Sequence, residues 1–405
     1  MHVSEEIRGS LSEMLKGKRI VLGITGSIAA VECVKLAREL IRHGAEVYPV
    51  MTGEACKIIG PYSMHFATGN RPVTELTGGV EHVSMCGDTM DRADLLMIAP
   101  CTANTLGKMV CGIDDTTVTT FATTAIGTGI PVMVVPAMHG TMYDHPQVRK
   151  NLERARKMGI EIVGPVREEK KAKMAGQDQI LDTAVRLMEG KRRGGMLIVA
   201  GATVERMDDM RVLTNNATGK SGVYLSREAY RRGYDVLLLA GSRMCAVPEH
   251  IETIRFSSTA DLLKKVEELE QKAPDVAVFS AAVSDYTMEG KPGKVPSDEE
   301  VMELKLMRTP KVIERFRSIY TSTFLVGYKA ESEKDRSELL KRAFNRMKEV
   351  GMDLIIANDL SDVTEESSKI LMITPEKQAF EVEGKKSDIA RFIIDKVIEF
   401  SDVLR

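Results

Sequence analysis

Two stretches of this chain share one local pattern, and it narrows the fold more than anything else in the sequence. Arg19-Ile20-Val21-Leu22-Gly23-Ile24 is a basic residue leading into an apolar run, and Met196-Leu197-Ile198-Val199-Ala200 is a second such run. Each passes into a Gly/Thr-rich turn and then into a segment with the apolar spacing of an amphipathic helix. A strand that is apolar on both faces has to be covered on both faces, which a parallel sheet flanked by helices achieves. The chain is therefore expected to form two α/β domains with mostly parallel, doubly wound sheets. Its 405 residues agree, because single domains usually run roughly 100–200 residues.

Gly190-Lys191-Arg192-Arg193-Gly194-Gly195 lies between the two patterns. A glycine-flanked basic cluster supplies no core, so it is read as the linker, with domains at 1–190 and 191–405. In the first half, Val31, Val34, Ala37, Leu40 and Ile41 predict one helix over 28–43, with Gly44 at its end. Strands are expected at 47–50, 95–99 and 132–135, and helices at 54–59 and 178–188. In the second half, strands are expected at 196–200, 235–239, 251–255, 276–279, 324–327 and 353–356. Helices are expected at 219–232, 259–271, 310–317 and 334–350. A hairpin over 369–382, turning at 374–377, and a helix over 385–399 complete the reading.

Composition removes several function classes. The formal charge of −2 and the absence of Trp fit neither a nucleic-acid footprint nor a stacking platform for single strands. Cys33, Cys56, Cys86, Cys101, Cys111 and Cys245 form no C-x-x-C pair, so they read as reduced thiols in a cytoplasmic protein rather than as a disulfide framework or a zinc site. The first 18 residues carry no apolar signal core, and the longest apolar runs fall well short of the ~20 residues that span a membrane.

Four segments of the first half sit where ligands are expected. Gly23-Ile24-Thr25-Gly26-Ser27-Ile28-Ala29-Ala30 joins a strand to a helix, as a phosphate-binding turn does, but lacks the G-x-G-x-x-G dinucleotide spacing. Glu81-His82-Val83, ahead of a strand, supplies a side chain that titrates near neutral pH. Ala99-Pro100-Cys101-Thr102-Ala103-Asn104-Thr105 follows a buried strand, at the sheet edge that binds ligands. Its Thr102 can equally cap a helix. Pro136-Ala137-Met138-His139-Gly140-Thr141-Met142-Tyr143 mixes apolar and polar groups, as a flap over a ligand would.

In the second half, Gly201-Ala202-Thr203 follows the first strand. Arg211 and Thr214-Asn215-Asn216-Ala217-Thr218-Gly219-Lys220-Ser221-Gly222 precede a helix. The G-K-S looks like a Walker loop, yet that loop needs glycine at position 214, which is Thr. The stretch can still cradle phosphate through N–H groups, with Lys220 as a point charge. Ser280-Ala281-Ala282-Val283-Ser284-Asp285-Tyr286 ends a strand on a potential metal ligand, and Lys294 lies in the loop Lys291-Pro292-Gly293-Lys294-Val295-Pro296.

Together these segments resemble one family. GITGSIAA, the E-H-V histidine, APCTANT and PAMHGTMY are similar, in that order, to the homo-oligomeric flavin-containing cysteine decarboxylases. G-A-T, R-x-x-TNNATGKSG, AAVSDY, the Lys294 loop, Gly327-Tyr328-Lys329-Ala330-Glu331 and Ala357-Asn358-Asp359 resemble the phosphopantothenate–cysteine ligases. The fusion resembles the prokaryotic bifunctional phosphopantothenoylcysteine decarboxylase/phosphopantothenate–cysteine ligase family across about residues 18–400. The resemblance implies a flavodoxin-like flavoprotein domain followed by a Rossmann-like ligase domain. It places FMN among Gly26, Ser27, Thr52, Thr102 and Asn104, makes His82 catalytic, and sets Met138, His139, Met142 and Tyr143 over the substrate. In the ligase it assigns the acyl-nucleotide to Asn215 and Lys294. It assigns the nucleotide, CTP with Mg2+, to Gly201, Thr203, Gly219, Lys220, Ser221, Asp285, Lys294, Tyr328 and Lys329, with Asp285 also at the cation. The other implied partners are 4′-phosphopantothenate and cysteine. The implied assembly is a homo-oligomer of trimeric decarboxylase cores and dimeric ligase domains, up to a dodecamer, without nucleic acid or membrane.

Two positions depart from the family pattern. The clamp usually reads P-x-M-N, where this chain has His139. A cysteine usually follows the clamp, where Arg167–Gln179 has none and 171–176 reads Lys-Ala-Lys-Met-Ala-Gly. The competing readings are a nicotinamide-dependent dehydrogenase, opposed by the missing fingerprint, and a regulatory flavin-binding subunit without turnover.

Overall fold

A computed structural model describes residues 2–168, 171–271, 273–295, 301–332 and 335–403. The chain divides into two compact units, Met1–Gly190 and Lys191–Arg405.

The first unit is built on β1 (Arg19–Ile24), β2 (Glu46–Met51), β3 (Leu95–Cys101), β4 (Val132–Pro136) and β5 (Glu161–Ile162), in the order β2-β1-β3-β4-β5. Every pairing is parallel, with Ile20 opposite both Val47 and Leu95. This is the flavodoxin-like order. Successive side chains of a strand point to opposite faces. Ile20, Leu22 and Ile24 therefore enter one core with Leu36, Leu40 and Ile41, while Val21 enters the other with Val118 and Phe121.

The second unit carries β6 (Gly195–Ala200), β7 (Asp235–Gly241), β8 (Glu252–Phe256), β9 (Val276–Phe279), β10 (Phe324–Glu331), β11 (Leu354–Asp359), β12 (Ser367–Ile373) and β13 (Ala379–Lys385), in the order β8-β7-β6-β9-β10-β11-β12-β13. The strands from β8 to β11 pair in parallel, and β12 and β13 continue antiparallel. The 3-2-1-4-5-6 arrangement of the parallel part is the Rossmann order. β13 alternates between half-buried and exposed residues, with Glu381 and Glu383 in it, which blunts a free sheet edge.

Several local expectations give way. The single helix expected over 28–43 is a 3-10 turn, Ile28–Glu32, followed by a helix at Cys33–Arg42. The apolar spacing carries through both, yet Ile28 is 77% exposed, so within the turn Ala30, not Ile28, enters the core. The helix expected over 54–59 is only Gly53–Cys56, and Pro61 starts a separate helix, Pro61–Thr68, with its ring at the first position. His82, expected ahead of a strand, sits in the first turn of the helix Glu81–Cys86, which precedes β3. The segment 136–143, expected as a loop, forms a short strand, Met138–His139, and a helical turn, Gly140–Tyr143. Ala103–Cys111 is the helix that a capping Thr102 implies, and Thr102 caps it; helices Thr117–Thr128 and Pro146–Lys157 were not anticipated. The helix expected over 334–350 spans Arg336–Val350, and residue 334 lies outside the described residues. Among the described residues no helix is long and apolar enough to cross a membrane.

Candidate active sites

The turns leaving β1, β2 and β3 meet where the strand order reverses, which is where open α/β sheets bind ligands. Thr25 organises the meeting. Its Oγ1 donates to the Pro100 carbonyl at 2.7 Å and accepts from Thr102 N–H at 3.1 Å. Gly26 is required by contact: a Cβ there would stand 2.6 Å from Glu54 Cβ. Three hydroxyls then cap the three turns. Ser27 accepts from Ala29 N–H at 3.5 Å, Thr52 from Ala55 N–H at 3.2 Å and Thr102 from Thr105 N–H at 3.3 Å. Asn104 is exposed on the first turn after Thr102. Gly26, Ser27, Thr52, Thr102 and Asn104 thus belong to one edge of the sheet.

Beside them is a cavity of 660 Å³, lined by Ser27, Ile28, Val31, Glu32, Met138 and His139 and by residues 172–177. Its far wall comes from antiparallel pairings: Met138–His139 with Lys171–Lys173, and that strand with Val166–Glu168. The cysteine-free segment therefore packs on the clamp, although residues 169 and 170 lie outside the described residues. The cavity explains the exposure of Ile28 and Val31: a flat apolar group can sit where no core side chain does. His139 accepts from Thr141 N–H through Nδ1 at 3.4 Å, so the neutral ring carries its proton on Nε2 and offers a donor there. Met142 is 50% exposed, and Tyr143 lies under the Arg167 guanidinium at 5.1 Å. Neither of these two lines the cavity. Cys101 cannot stand in for the missing thiol, because burial pushes its pKa up to about 12. Glu32 is not among the expected site residues, and 171–176 stands out in the sequence only for its missing cysteine; that segment reaches the cavity through its pairing with Met138–His139.

His82 does not line that cavity. It meets Phe121 edge-on, with ring centroids 6.4 Å apart, and its buried Nδ1 has no hydrogen-bond partner among the described residues. Val80, just before it, has a left-handed backbone with φ of 46°, an arrangement that costs a β-branched residue ~1–3 kcal/mol.

In the second unit the order reverses between β6 and β9, and the segments following those strands are joined. Ala202 bridges Ala282, and Thr203, fully buried, accepts from Ser284 N–H at 2.9 Å. Asn215 donates to the Ala282 carbonyl at 3.1 Å, and Thr214 to the Thr203 carbonyl at 2.8 Å. Gly219 caps the helix Lys220–Arg231 with φ of 74°, a conformation glycine adopts without strain. Lys220, expected to be a free point charge at that helix start, is held by Glu366 and, at 3.4 Å, by Glu365. The Glu366 bond raises its pKa. Asp285, expected at a cation, pairs with Lys311. Among the described residues no group of three or more His, Cys, Asp or Glu is placed to hold a metal ion. Tyr328 and Lys329 end β10, where burial pushes the Tyr328 phenol pKa up and Lys329 pairs with Glu331 at 3.0 Å. Lys294 is exposed, in a loop whose Pro296 lies outside the described residues.

Residues 8–189 match the family described as Flavoprotein, and residues 190–400 match the DNA/pantothenate metabolism flavoprotein C-terminal domain. The coenzyme A biosynthesis bifunctional protein CoaBC of Thermococcus kodakarensis is 44% identical over 380 residues, covering 92% of this chain and 93% of that one. That of Methanocaldococcus jannaschii is 36% identical over 403 residues, covering 98% and 97%. Among solved structures, the DNA/pantothenate metabolism flavoprotein of Streptococcus pneumoniae aligns with a TM-score of 0.47 at 26% identity, covering 51% of this chain and 99% of that one.

Proposed function

Because the chain belongs to the coenzyme A biosynthesis bifunctional protein family, we propose a division of labour within it. It is a bifunctional enzyme of coenzyme A biosynthesis, with a flavoprotein decarboxylase and a ligase. In our reading, residues 191–405 join cysteine to 4′-phosphopantothenate at the expense of CTP, and residues 1–190 decarboxylate the resulting 4′-phosphopantothenoylcysteine to 4′-phosphopantetheine. The observation that carries this reading is that each unit gathers its own motif set at its own strand-order reversal.

The decarboxylase cavity fits FMN: capped turns for the phosphate, and an apolar wall of Ile28, Val31 and Met138 for the ring. FMN, when bound, would supply the two-electron oxidation of the cysteinyl thiol to a thioaldehyde, which is the electron sink for losing CO2, and would return the hydride after CO2 has left. The chain's own residues hold and orient. Ser27 and its neighbouring N–H groups take the phosphate, His139 offers Nε2–H to the departing carboxylate, and His82 handles a proton. In the ligase, the carboxylate of 4′-phosphopantothenate attacks the α-phosphorus of CTP, pyrophosphate leaves, and an acyl-cytidylate forms. The cysteine amine then attacks the acyl carbon and CMP leaves. Asn215 and Lys294 attend the acyl-nucleotide. Lys220 would exchange Glu365 and Glu366 for phosphate, and Asp285, released from Lys311, is the carboxylate that would hold Mg2+ brought with the triphosphate.

Tyr62 and Phe66, 90% and 57% exposed on one helix, and Val80 and Val83 beside His82 support a homo-oligomer in which a second copy covers them. Six free thiols support the reducing cytoplasm as its compartment.

The test is an assay with 4′-phosphopantothenate, cysteine and CTP that follows pyrophosphate and CO2 separately. His82→Asn should stop CO2 release and spare pyrophosphate release, and Lys294→Gln or Asn215→Ala should stop pyrophosphate release. Pyrophosphate without CO2 from the unmodified protein would reduce the first unit to a flavin-binding subunit. Loss of pyrophosphate release together with loss of CO2 release from directly supplied 4′-phosphopantothenoylcysteine, from one substitution in a folded protein, would contradict the division.

A further inference from the structure

The loop that carries Lys294 is fastened on both sides of that residue. Lys291 N–H donates to the Met207 carbonyl at 2.9 Å, and Gly293 accepts from Asp209 N–H at 3.1 Å. The two neighbours of Lys294 are then gripped by carboxylates: Gly293 N–H donates to Asp209 Oδ2 at 3.0 Å, and Val295 N–H donates to Asp208 Oδ2 at 3.1 Å. Arg211 closes the clasp by donating to the Val295 carbonyl and, through Nε, pairing with Asp208 Oδ2 at 3.3 Å. Among the described residues no hydrogen bond or ion pair ties the Lys294 side chain itself.

Asp208 is built for this position rather than for solvent. Its side chain is fully buried. Its other oxygen takes Met210 N–H at 2.7 Å and Arg211 N–H at 2.6 Å, so it fixes the 208–211 turn and the Lys294 loop at once. A buried carboxylate with these partners is satisfied, and one that loses them is costly. Desolvation raises its pKa, but the bonds from Met210, Val295 and Arg211 outweigh that and hold it below the ordinary carboxylate range. Asp209 is more exposed and also engages Arg206.

We propose that Asp208 and Asp209 are positioning residues for Lys294, fixing the backbone on either side of it so that its ammonium meets the negative charge that develops on the acyl-nucleotide. This rests on the reading of Lys294 given above and adds residues that never touch the nucleotide. A fixed backbone with a free side chain places the charge without spending reaction energy on ordering the loop, and misplacement by about 1 Å can cost up to ~100-fold in rate.

The test uses the full-length protein. Asp209→Ala removes the grip on Gly293 without emptying a buried site, and Asp209→Asn keeps an oxygen that can accept the same N–H. Three quantities are measured: ligase kcat and KM, CO2 release from 4′-phosphopantothenoylcysteine, and trypsin cleavage after Lys294, where Lys291 is shielded by Pro292. For Asp209→Ala the expectation is a ligase kcat lower by about tenfold, an essentially unchanged KM, unchanged CO2 release, and faster cleavage at Lys294. Asp209→Asn should recover most of the rate and the protection. Three results would overturn the proposal: faster cleavage with a normal kcat, a lower kcat with normal cleavage, or an Asp209→Asn variant as impaired as Asp209→Ala. Lys294→Gln runs alongside. Full ligase activity in that variant would remove the role of Lys294 itself, which separates failure of the underlying reading from failure of the clasp.

Discussion

At the scale of single residues, His139 stands where the resemblance read from the sequence implies an asparagine. Its Nδ1 is committed to Thr141, so the ring is held in one tautomer and presents Nε2–H toward a cavity it lines. A hydrogen bond to a carboxylate contributes ~1.5–3 kcal/mol, or a factor of about ten or more in binding or rate. His139→Leu should lose at least that in kcat/KM for decarboxylation. His139→Asn, which also offers an N–H, should retain most of it. Full activity of His139→Leu at saturating and subsaturating substrate would place the substrate carboxylate elsewhere. Residues of this kind were legible in the sequence because they sit in short motifs after apolar runs. Thr25, Asp208 and Glu366 were not. Thr25 acts on Pro100 and Thr102, more than seventy positions away, and Glu366 reaches Lys220 across 146. No spacing rule finds a partner that only the fold brings near.

At the scale of elements, the apolar strands were plain, whereas one inner helix was hidden by its composition. Thr117–Thr128 reads T-V-T-T-F-A-T-T-A-I-G-T, rich in β-branched residues that favour strands. Burial of one face in the core overrides that preference, and the threonine hydroxyls are satisfied within the helix by the carbonyl four residues before: Thr120 on Thr116 at 3.0 Å, Thr124 on Thr120 at 2.8 Å and Thr128 on Thr124 at 3.0 Å. Its apolar positions Val118, Phe121, Ala122 and Ala125 fill one core. The broken helix at 28–42 carries a prediction. Its 3-10 turn begins at Ser27 beside the cavity, where Ala29 N–H makes only a long 3.5 Å bond to the Ser27 hydroxyl, a donor that an anion can take over. Ser27→Asp keeps a capping oxygen, so the turn survives, but sets like charge against the phosphate. The purified variant should carry markedly less flavin, read by its absorbance near 450 nm after release by acid. Full flavin content would move the phosphate away from this turn.

At the scale of the whole chain, each unit owns a complete sheet with a core on either face, which is what autonomous folding requires. We therefore expect a polypeptide of residues 1–190 to retain flavin and one of residues 191–405 to ligate without it. The position of the cut matters, because the basic stretch between the units is not all linker. Arg193 N–H donates to the Gly233 carbonyl at 3.0 Å, and Gly194 accepts from Asp235 N–H at 3.2 Å. The Arg193 guanidinium lies over Tyr234 at 5.8 Å and pairs with Asp402 at 3.2 Å. Those contacts extend the pairing of β6 with β7 and tie in the last helix. Gly190, left-handed with φ of 66°, ends the helix Gln177–Glu189 and is the natural stop for the first unit. A polypeptide starting at 195 loses these bonds, each contributing ~1 kcal/mol. For a unit of this size, 1 kcal/mol moves the melting temperature by about 2–4 °C. The 191–405 polypeptide should thus melt several degrees above the 195–405 polypeptide, with equal ligase turnover at low temperature. Equal melting temperatures would return residues 191–194 to the role of a passive tether, and insolubility of both halves across several buffers would count against two autonomous domains.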